Sequence, residues 1–340
     1  KHVLVSDAVY STLLQRDRRD LHTRAAQAIA VVYAGRLYGQ LEALASHYLR
    51  SPLLDRALHY LILAGQKAAR SFVNEQARQH FAQALELLPK VAHSYKQAVQ
   101  VHMGLGDALL TAGEYPAARD QYTRATEALA SGIQSGVSGG DCGEPGSESI
   151  PQAACIRMQS VLARKIGQTY ERQGEYETAL ECLQRAQSLL DQHSDSYVTD
   201  QASILCDIGW IWFRRGDLDQ AETLFLKALA LSETVDQPDV LASVLNRLAG
   251  IYFQRDAPEQ ASAYLERSLM LREQIGDVVA VARSYNNLGL LSWKKGDLAS
   301  ALENFTHSFE LQSNLGDVEG VIELHTNMGL IEMDRGNLED

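Results

Sequence analysis

The sequence predicts an all-α, right-handed superhelical solenoid of antiparallel helix pairs, and three observations carry that prediction. Only seven prolines occur among 340 residues, in runs rich in Ala, Leu, Glu and Gln that favour helix throughout. A small residue recurs at Gly65, Gly106, Gly167, Gly209, Ala249, Gly289 and Gly329, in steps of 41, 61, 42, 40, 40 and 40 residues. After five of these anchors come Gly113-Glu114, Gly174-Glu175, Gly216-Asp217, Gly296-Asp297 and Gly336-Asn337. In each of these turns Gly supplies a left-handed C′ residue, and an Asp or Asn after it can cap the next helix.

The repeat has an internal pattern. Twelve residues after each of the first six anchors stands Ala77, Ala118, Ala179, Ala221, Ala261 or Ala301. Four further on is a bulky residue: Phe81, Tyr122, Leu183, Phe225, Leu265 or Phe305. Three beyond that is a small one: Ala84, Ala125, Ala186, Ala228, Ser268 or Ser308. Small residues let paired helices approach, and the bulky one fills the space between them. In one unit Ala257-Pro258 takes the place of the glycine turn, with Pro in the first helical turn. Gly276-Asp277 and Gly316-Asp317 repeat the stop-and-start signal between units.

Taken in order, residues 1–34 stand outside the repeat. Lys1–Val5 reads as a short strand, Asp7 starts a helix through Tyr10, Leu13 and Leu14, and a second helix carries Arg18, Arg19, Leu21, His22, Ala25 and Ile29. Residues 35–130 form a first block of repeats, opened by Leu44, Ala45, His47, Tyr48, Ala57, Tyr60, Leu61 and Ala64. Residues 131–152 account for the one long step: Ser131–Pro151 holds six glycines and almost no large apolar side chain. Such a stretch cannot offset its ordering entropy, so it reads as a flexible surface loop. Its Gly136-Val137-Ser138-Gly139-Gly140 matches the G-x-S-x-G of serine hydrolases, but that pattern needs a strand before it and a His and an acid as partners. Residues 153–340 form a second block whose last repeat stops just after its turn, leaving Leu324, Met328 and Ile331 without a covering second helix.

The spacing of Leu288-Gly289, Gly296, Ala301, Phe305 and Ser308 resembles the tetratricopeptide repeat, with a 40-residue step in place of the common one of about 34. The long step is similar to that of kinesin light chains, of the polarity adaptors that bind G-protein α-subunits, and of bacterial signalling ATPases. Residues 1–34 look like the segment joining the winged-helix part of a STAND-type signalling ATPase to its C-terminal repeats. Some members of that group carry a nucleotidyl cyclase or transcriptional-regulator domain upstream, and a chain starting at Lys1 fits a fragment of such a protein. The resemblance implies a protein-interaction scaffold or sensor module of a larger cytoplasmic signalling protein. The alternative it leaves open is a structural, self-associating array that regulates an attached ATPase or cyclase domain.

Chemistry is not written in this chain. There is no G-x-x-x-x-G-K-[ST], H-E-x-x-H or C-x-x-C, and ten histidines are scattered, so no catalytic residue, cofactor or metal is expected. His22, His47 and His102 read as packing or surface residues. The cysteines Cys142, Cys155, Cys182 and Cys206 are irregularly spaced, which fits thiols kept reduced in a cytoplasm. No stretch approaches the roughly 18 apolar residues that a membrane span requires, and no signal peptide opens the chain. The net charge of −12 is uneven: 15 Lys and Arg face 11 Asp and Glu in residues 1–130, against 16 and 32 in residues 131–340. The acidic second half would repel a phosphate backbone, which excludes nucleic acid as its partner.

Helix geometry locates a binding face. Positions −4, −1, 0 and +3 from an anchor share one arc and should meet the paired helix, whereas −6, −3, +1 and +4 should line the concave surface. The second arc carries Ser203, Cys206, Trp210 and Phe213, then Ser243, Asn246, Gly250 and Phe253, then Arg283, Asn286, Leu290 and Trp293, and finally Glu323, Thr326, Leu330 and Met333. The expected partner-binding residues are Trp210, Phe213, Asn246, Phe253, Arg283, Asn286, Leu290, Trp293 and Met333. An apolar stripe within an acidic block suits an amphipathic, basic protein or peptide segment, or upstream domains of the same protein. Self-association through the truncated last repeat is a further expectation.

Overall fold

The computed structural model describes residues 10, 12–137, 152–191, 197–315 and 317–336, so the expected strand at Lys1–Val5 lies outside the described residues. Contacts divide the chain into two compact units, residues 1–189 and 190–340. The first holds α1 (Gln15–Val32), a 3-10 turn (Leu37–Gln40), α2 (Leu41–Leu49), α3 (Leu54–Arg70) and α4 (Asn74–Leu87). It continues with α5 (Tyr95–Thr111), α6 (Tyr115–Val137), α7 (Gln152–Gln173) and α8 (Tyr176–Asp191). The second holds α9 (Val198–Arg214), α10 (Leu218–Ser232), α11 (Pro238–Gln254), α12 (Pro258–Ile275), α13 (Val278–Lys294), α14 (Leu298–Leu315) and α15 (Val318–Asp334). Among the described residues every regular element is helical, in antiparallel pairs.

The turns follow from the glycines. Gly113, Gly174, Gly216, Gly296 and Gly336 have φ between 77° and 85°. There Asp217 N–H reaches back to Trp212 O at 3.0 Å, and the Asp217 carboxylate accepts from Gln220 N–H at the start of α10. Asp277 and Asp317 cap α13 and α15 in the same way. Two units lack the glycine, and their counterparts Phe72 and Asp256 take φ 58° all the same. The unit read as starting its helix with Ala257-Pro258 thus keeps the left-handed turn, on Asp256.

The anchors work as spacing residues. A β-carbon added at Gly209 would lie 2.8 Å from the Phe225 ring, and one at Gly289 would lie 2.6 Å from Phe305. Phe225 and Phe305 are completely buried, each contributing about 2–3 kcal/mol of hydrophobic stabilisation. Each first helix buries a second arc as well. Ile204 and Ile211 on α9, Val244 and Ile251 on α11, and Leu324 and Ile331 on α15 are all fully buried. Val244 and Ile251 pack with Phe225 and Ala228 of the preceding pair, and Leu324 and Ile331 with Phe305.

Two expectations are corrected. Residues 131–137 are not loop but the last turns of α6, and the rest of the expected loop and of its G-x-S-x-G lies outside the described residues. Gly132 is a packing residue, since a β-carbon there would fall 2.3 Å from the Tyr95 ring. On α15, Leu324 and Ile331 are buried against the preceding pair rather than uncovered, and Met328 is half-buried in the same cluster. The open apolar residues of this helix are Ile322, Leu330 and Met333, exposed by 61%, 41% and 58%.

Side-chain links tie the first unit together. Tyr122 donates to the Asp107 carboxylate at 2.7 Å, and Lys165 of α7 reaches the same oxygen at 2.6 Å. At the N-terminal end Nδ1 of His22 lies 2.9 Å from Nδ1 of His47, joining α1 to α2, and Tyr10 Oη sits 2.8 Å from Nε2 of His22.

Candidate functional site

All nine residues expected to bind a partner lie on α9, α11, α13 and α15, the first helices of the second unit. Trp210 and Phe213 stack on each other, with centroids 5.0 Å apart and planes at 12°. Phe213 also rests against Gly250 of the next first helix, where a β-carbon would be 3.8 Å from its ring. Phe253 packs with Leu291, and Trp293 with the cluster around Leu324 and Ile331. Phe213, Phe253 and Trp293 are therefore half-buried, each leaning on the repeat that follows it. Met333 has no following helix among the described residues and is exposed.

The two asparagines enter an amide ladder. Asn287 donates its amide to Oδ1 of Asn246 at 3.0 Å, and Asn327 donates to Oδ1 of Asn286 at 3.4 Å. Asn286 in turn donates to Glu323 at 3.4 Å. Of the expected set, Arg283 is exposed and Leu290 is half-buried against Phe305 and its neighbours. Cys206, placed by geometry on the same arc, is buried in the core with Phe225 and Val244, so it does not belong to the face.

Sequence reasoning missed the cations that sit on this stripe. The Arg247 guanidinium lies over Trp210 at 3.7 Å from the ring centroid, and Lys294 lies over Phe253 at 4.6 Å. Lys294 also donates to Phe253 O and pairs with Asp256 at 3.1 Å. The signal was present two residues before the anchor, where Arg247, Asn287 and Asn327 follow one another. Behind the face, Arg272 donates to Ala280 O at 3.1 Å and to Ser284 Oγ at 2.6 Å. Burial holds its pKa below the usual arginine value. Asp277 opposes that effect, and the nearby Arg283 and Arg247 add to it.

Among the described residues no helix is long and apolar enough to cross a membrane, and no group of His, Cys, Asp and Glu is arranged to hold a metal ion. Two family models, both described as tetratricopeptide repeat, match the chain, one at 158–234 and again at 240–318, the other at 73–133. No curated protein matches the sequence. Among solved structures, the chain is similar to the apo form of the quorum sensor NprR from B. thuringiensis, with a TM-score of 0.63 and 16% identity over 98% of this chain and 87% of that one. It is also similar to the Rap conjugation gene regulator of plasmid pLS20 in complex with the Phr* peptide, at a TM-score of 0.58 and 14% identity, covering 87% and 78% of the two chains. A third likeness, to the APC/C hetero-tetramer Cut9–Hcn1, has a TM-score of 0.53 and 16% identity, covering 89% of this chain and 48% of that one. At these identities the likeness is one of fold.

Proposed function

Since the chain belongs to the tetratricopeptide-repeat family, we propose that it is a non-catalytic module that holds a segment of a partner protein or peptide along α9, α11, α13 and α15. The observation that carries this reading is the stripe of Trp210, Phe213, Phe253 and Trp293, half-buried rather than fully enclosed, beside the Asn246 and Asn286 amides. Partly exposed aromatics on a rigid helical frame supply contact area at little conformational cost, and amides can pair with a peptide backbone. The Rap structure that holds the Phr* peptide has a similar fold, which supports a peptide as partner.

The test is display of random peptides against the whole chain, followed by Phe253→Ala and Leu290→Ala. Captured peptides that lose about tenfold or more in affinity with both variants, while both fold, uphold the reading. Peptides whose binding ignores both changes would remove this face as the site.

A second reading, self-association or packing on ATPase or cyclase domains of the same protein, is favoured by the exposed Ile322, Leu330 and Met333 on α15. Sedimentation of Met333→Lys against the unchanged chain separates the two, since only a self-associating array would lose mass.

A further inference from the structure

We infer that α15 of one copy of this chain is the seat for α1 of a second copy, so that the chain associates with itself through two different faces. The inference rests on the self-association reading and names the surface that meets the open face of α15.

Each of the two helices carries an exposed apolar stripe. On α1, His22 and Ala26 are buried, Ala26 in one core with Leu44 and Ala45 of α2. A different face holds Leu21, Ala25, Ala28 and Val32, and Leu14 stands just before the helix. Leu14, Leu21 and Val32 are exposed by 72%, 46% and 74%. On α15 the stripe is Ile322, Thr326, Gly329 and Met333, all exposed, with Leu330 beside it. Both sets advance by four, three and four residues, which places each on one side of its helix. In both, a large residue stands at each end and two smaller ones lie between, so the helices can approach closely and interlock at the ends.

Gly329 marks the seat. The matching Gly209 and Gly289 are closed over by Phe225 and Phe305 from the paired helix, whereas nothing lies within 4 Å of the β-carbon position at Gly329. The face of α15 thus keeps a place for a bulky apolar side chain that no described residue fills. Leu21 and Val32 of a second copy are side chains of that kind.

Charge decides which faces meet. Gln15–Val32 holds four Arg against two Asp, while Val318–Asp334 holds four Asp and Glu with no Lys or Arg. Either helix against its own copy brings like charges together, and α1 against α15 brings unlike ones. Arg24 flanks the first stripe and Glu323 the second; both are exposed, and neither is in an ion pair among the described residues. Such charges steer the encounter and contribute little affinity alone, so the apolar stripes supply the rest. Because the two faces differ, each added copy leaves one α1 and one α15 unused, and association continues until it closes into a ring.

The experiment is sedimentation of the whole chain, whose mass should rise with concentration up to about 100 µM, the weak range of a single helix pair. Val32→Glu blocks the α1 face and Met333→Lys the α15 face; both side chains are more than half exposed, so neither change should unfold the chain. Each variant alone should remain a single chain. Their equal mixture should form pairs and nothing larger, because one open α15 meets one open α1. Arg24→Glu and Glu323→Lys should each weaken association about three- to tenfold at low salt, and mixing the two should restore it. If Met333→Lys is single and Val32→Glu still associates, α15 meets a surface other than α1, and this inference falls while self-association stands. A mixture of the two blocked variants that stays single also overturns it. A parent chain that stays single at every concentration overturns it together with the self-association reading.

Discussion

The indole Nε1 of Trp293 donates to Oδ2 of Asp334 at 2.8 Å, so the first helix of one repeat holds the aromatic of the repeat before it, 41 residues earlier. Trp293→Phe keeps most of the packing and deletes the bond, and should lower the stability of the second unit by about 1 kcal/mol. Trp293→Ala removes the ring as well and should lower it by about 2–3 kcal/mol, short of a fully enclosed Trp because this one is half-buried. Denaturant unfolding measures both. A Trp293→Phe variant as stable as the parent would mean that the bond contributes nothing.

Phe72 stands where other units place a turn glycine, and it keeps a left-handed φ of 58° with its side chain 45% exposed. Phe72→Gly should raise stability by about 1 kcal/mol, because the strain exceeds the little burial that is lost. Asp256→Gly should gain less, since Asp tolerates this conformation better and Asp256 pairs with Lys294. Thermal melts of the two variants, compared side by side, check the order.

Gly209 and Gly329 hold the same place in their repeats but not the same surroundings. Gly209→Ala drives a methyl to 2.8 Å from Phe225 and should destabilise by about 1–3 kcal/mol. Gly329 has nothing within 4 Å of its β-carbon position, so Gly329→Ala should stabilise by up to about 1 kcal/mol through helix propensity. Equal effects of the two substitutions would show that Phe225 moves aside at little cost.

His22 and His47 meet Nδ1 to Nδ1 and can share one proton but not hold two. Burial, then His47 and Arg50, hold His22 below the usual value of 6.5, and burial and Arg50 do the same to His47. The folded state therefore binds fewer protons than the unfolded one. The contribution of this contact is complete above pH 6.5 and declines as pH falls below it. Protection of the α1 amides, with exchange corrected for its intrinsic rise with pH, should be lower at about pH 5 than at about pH 7.5, and His47→Gln should flatten the difference. Identical protection at both values would mean that α1 is held by its other contacts.

The pairing of anchor with bulky residue was legible because one fixed step, repeated in every unit, brings Gly209 to Phe225 and Gly289 to Phe305. The second buried arc was not. Val244 and Ile251 pack with Phe225 and Ala228 of the preceding pair, and a single-helix wheel has no term for a helix flanked on two sides. Cys206 was misplaced for the same reason. The placing of Lys294 over Phe253 depends on a long side chain reaching between adjacent helices, which spacing does not encode. The glycine-rich composition of Ser131–Pro151 reads as loop from its first residue, whereas contact with Tyr95 makes Gly132 a spacing residue within α6.

The Lys165–Asp107–Tyr122 contact holds α7 against α5 and α6 through side chains, not through the covalent connection between Val137 and Gln152. These links between side chains are independent of the peptide chain at that point. The backbone could be opened there to create new termini, or to receive a reporter domain, since closure entropy rises only slowly with added length. Fragments 1–137 and 152–340, made separately, would still carry matching halves of that contact, the basis of a split protein whose reassembly can be followed directly.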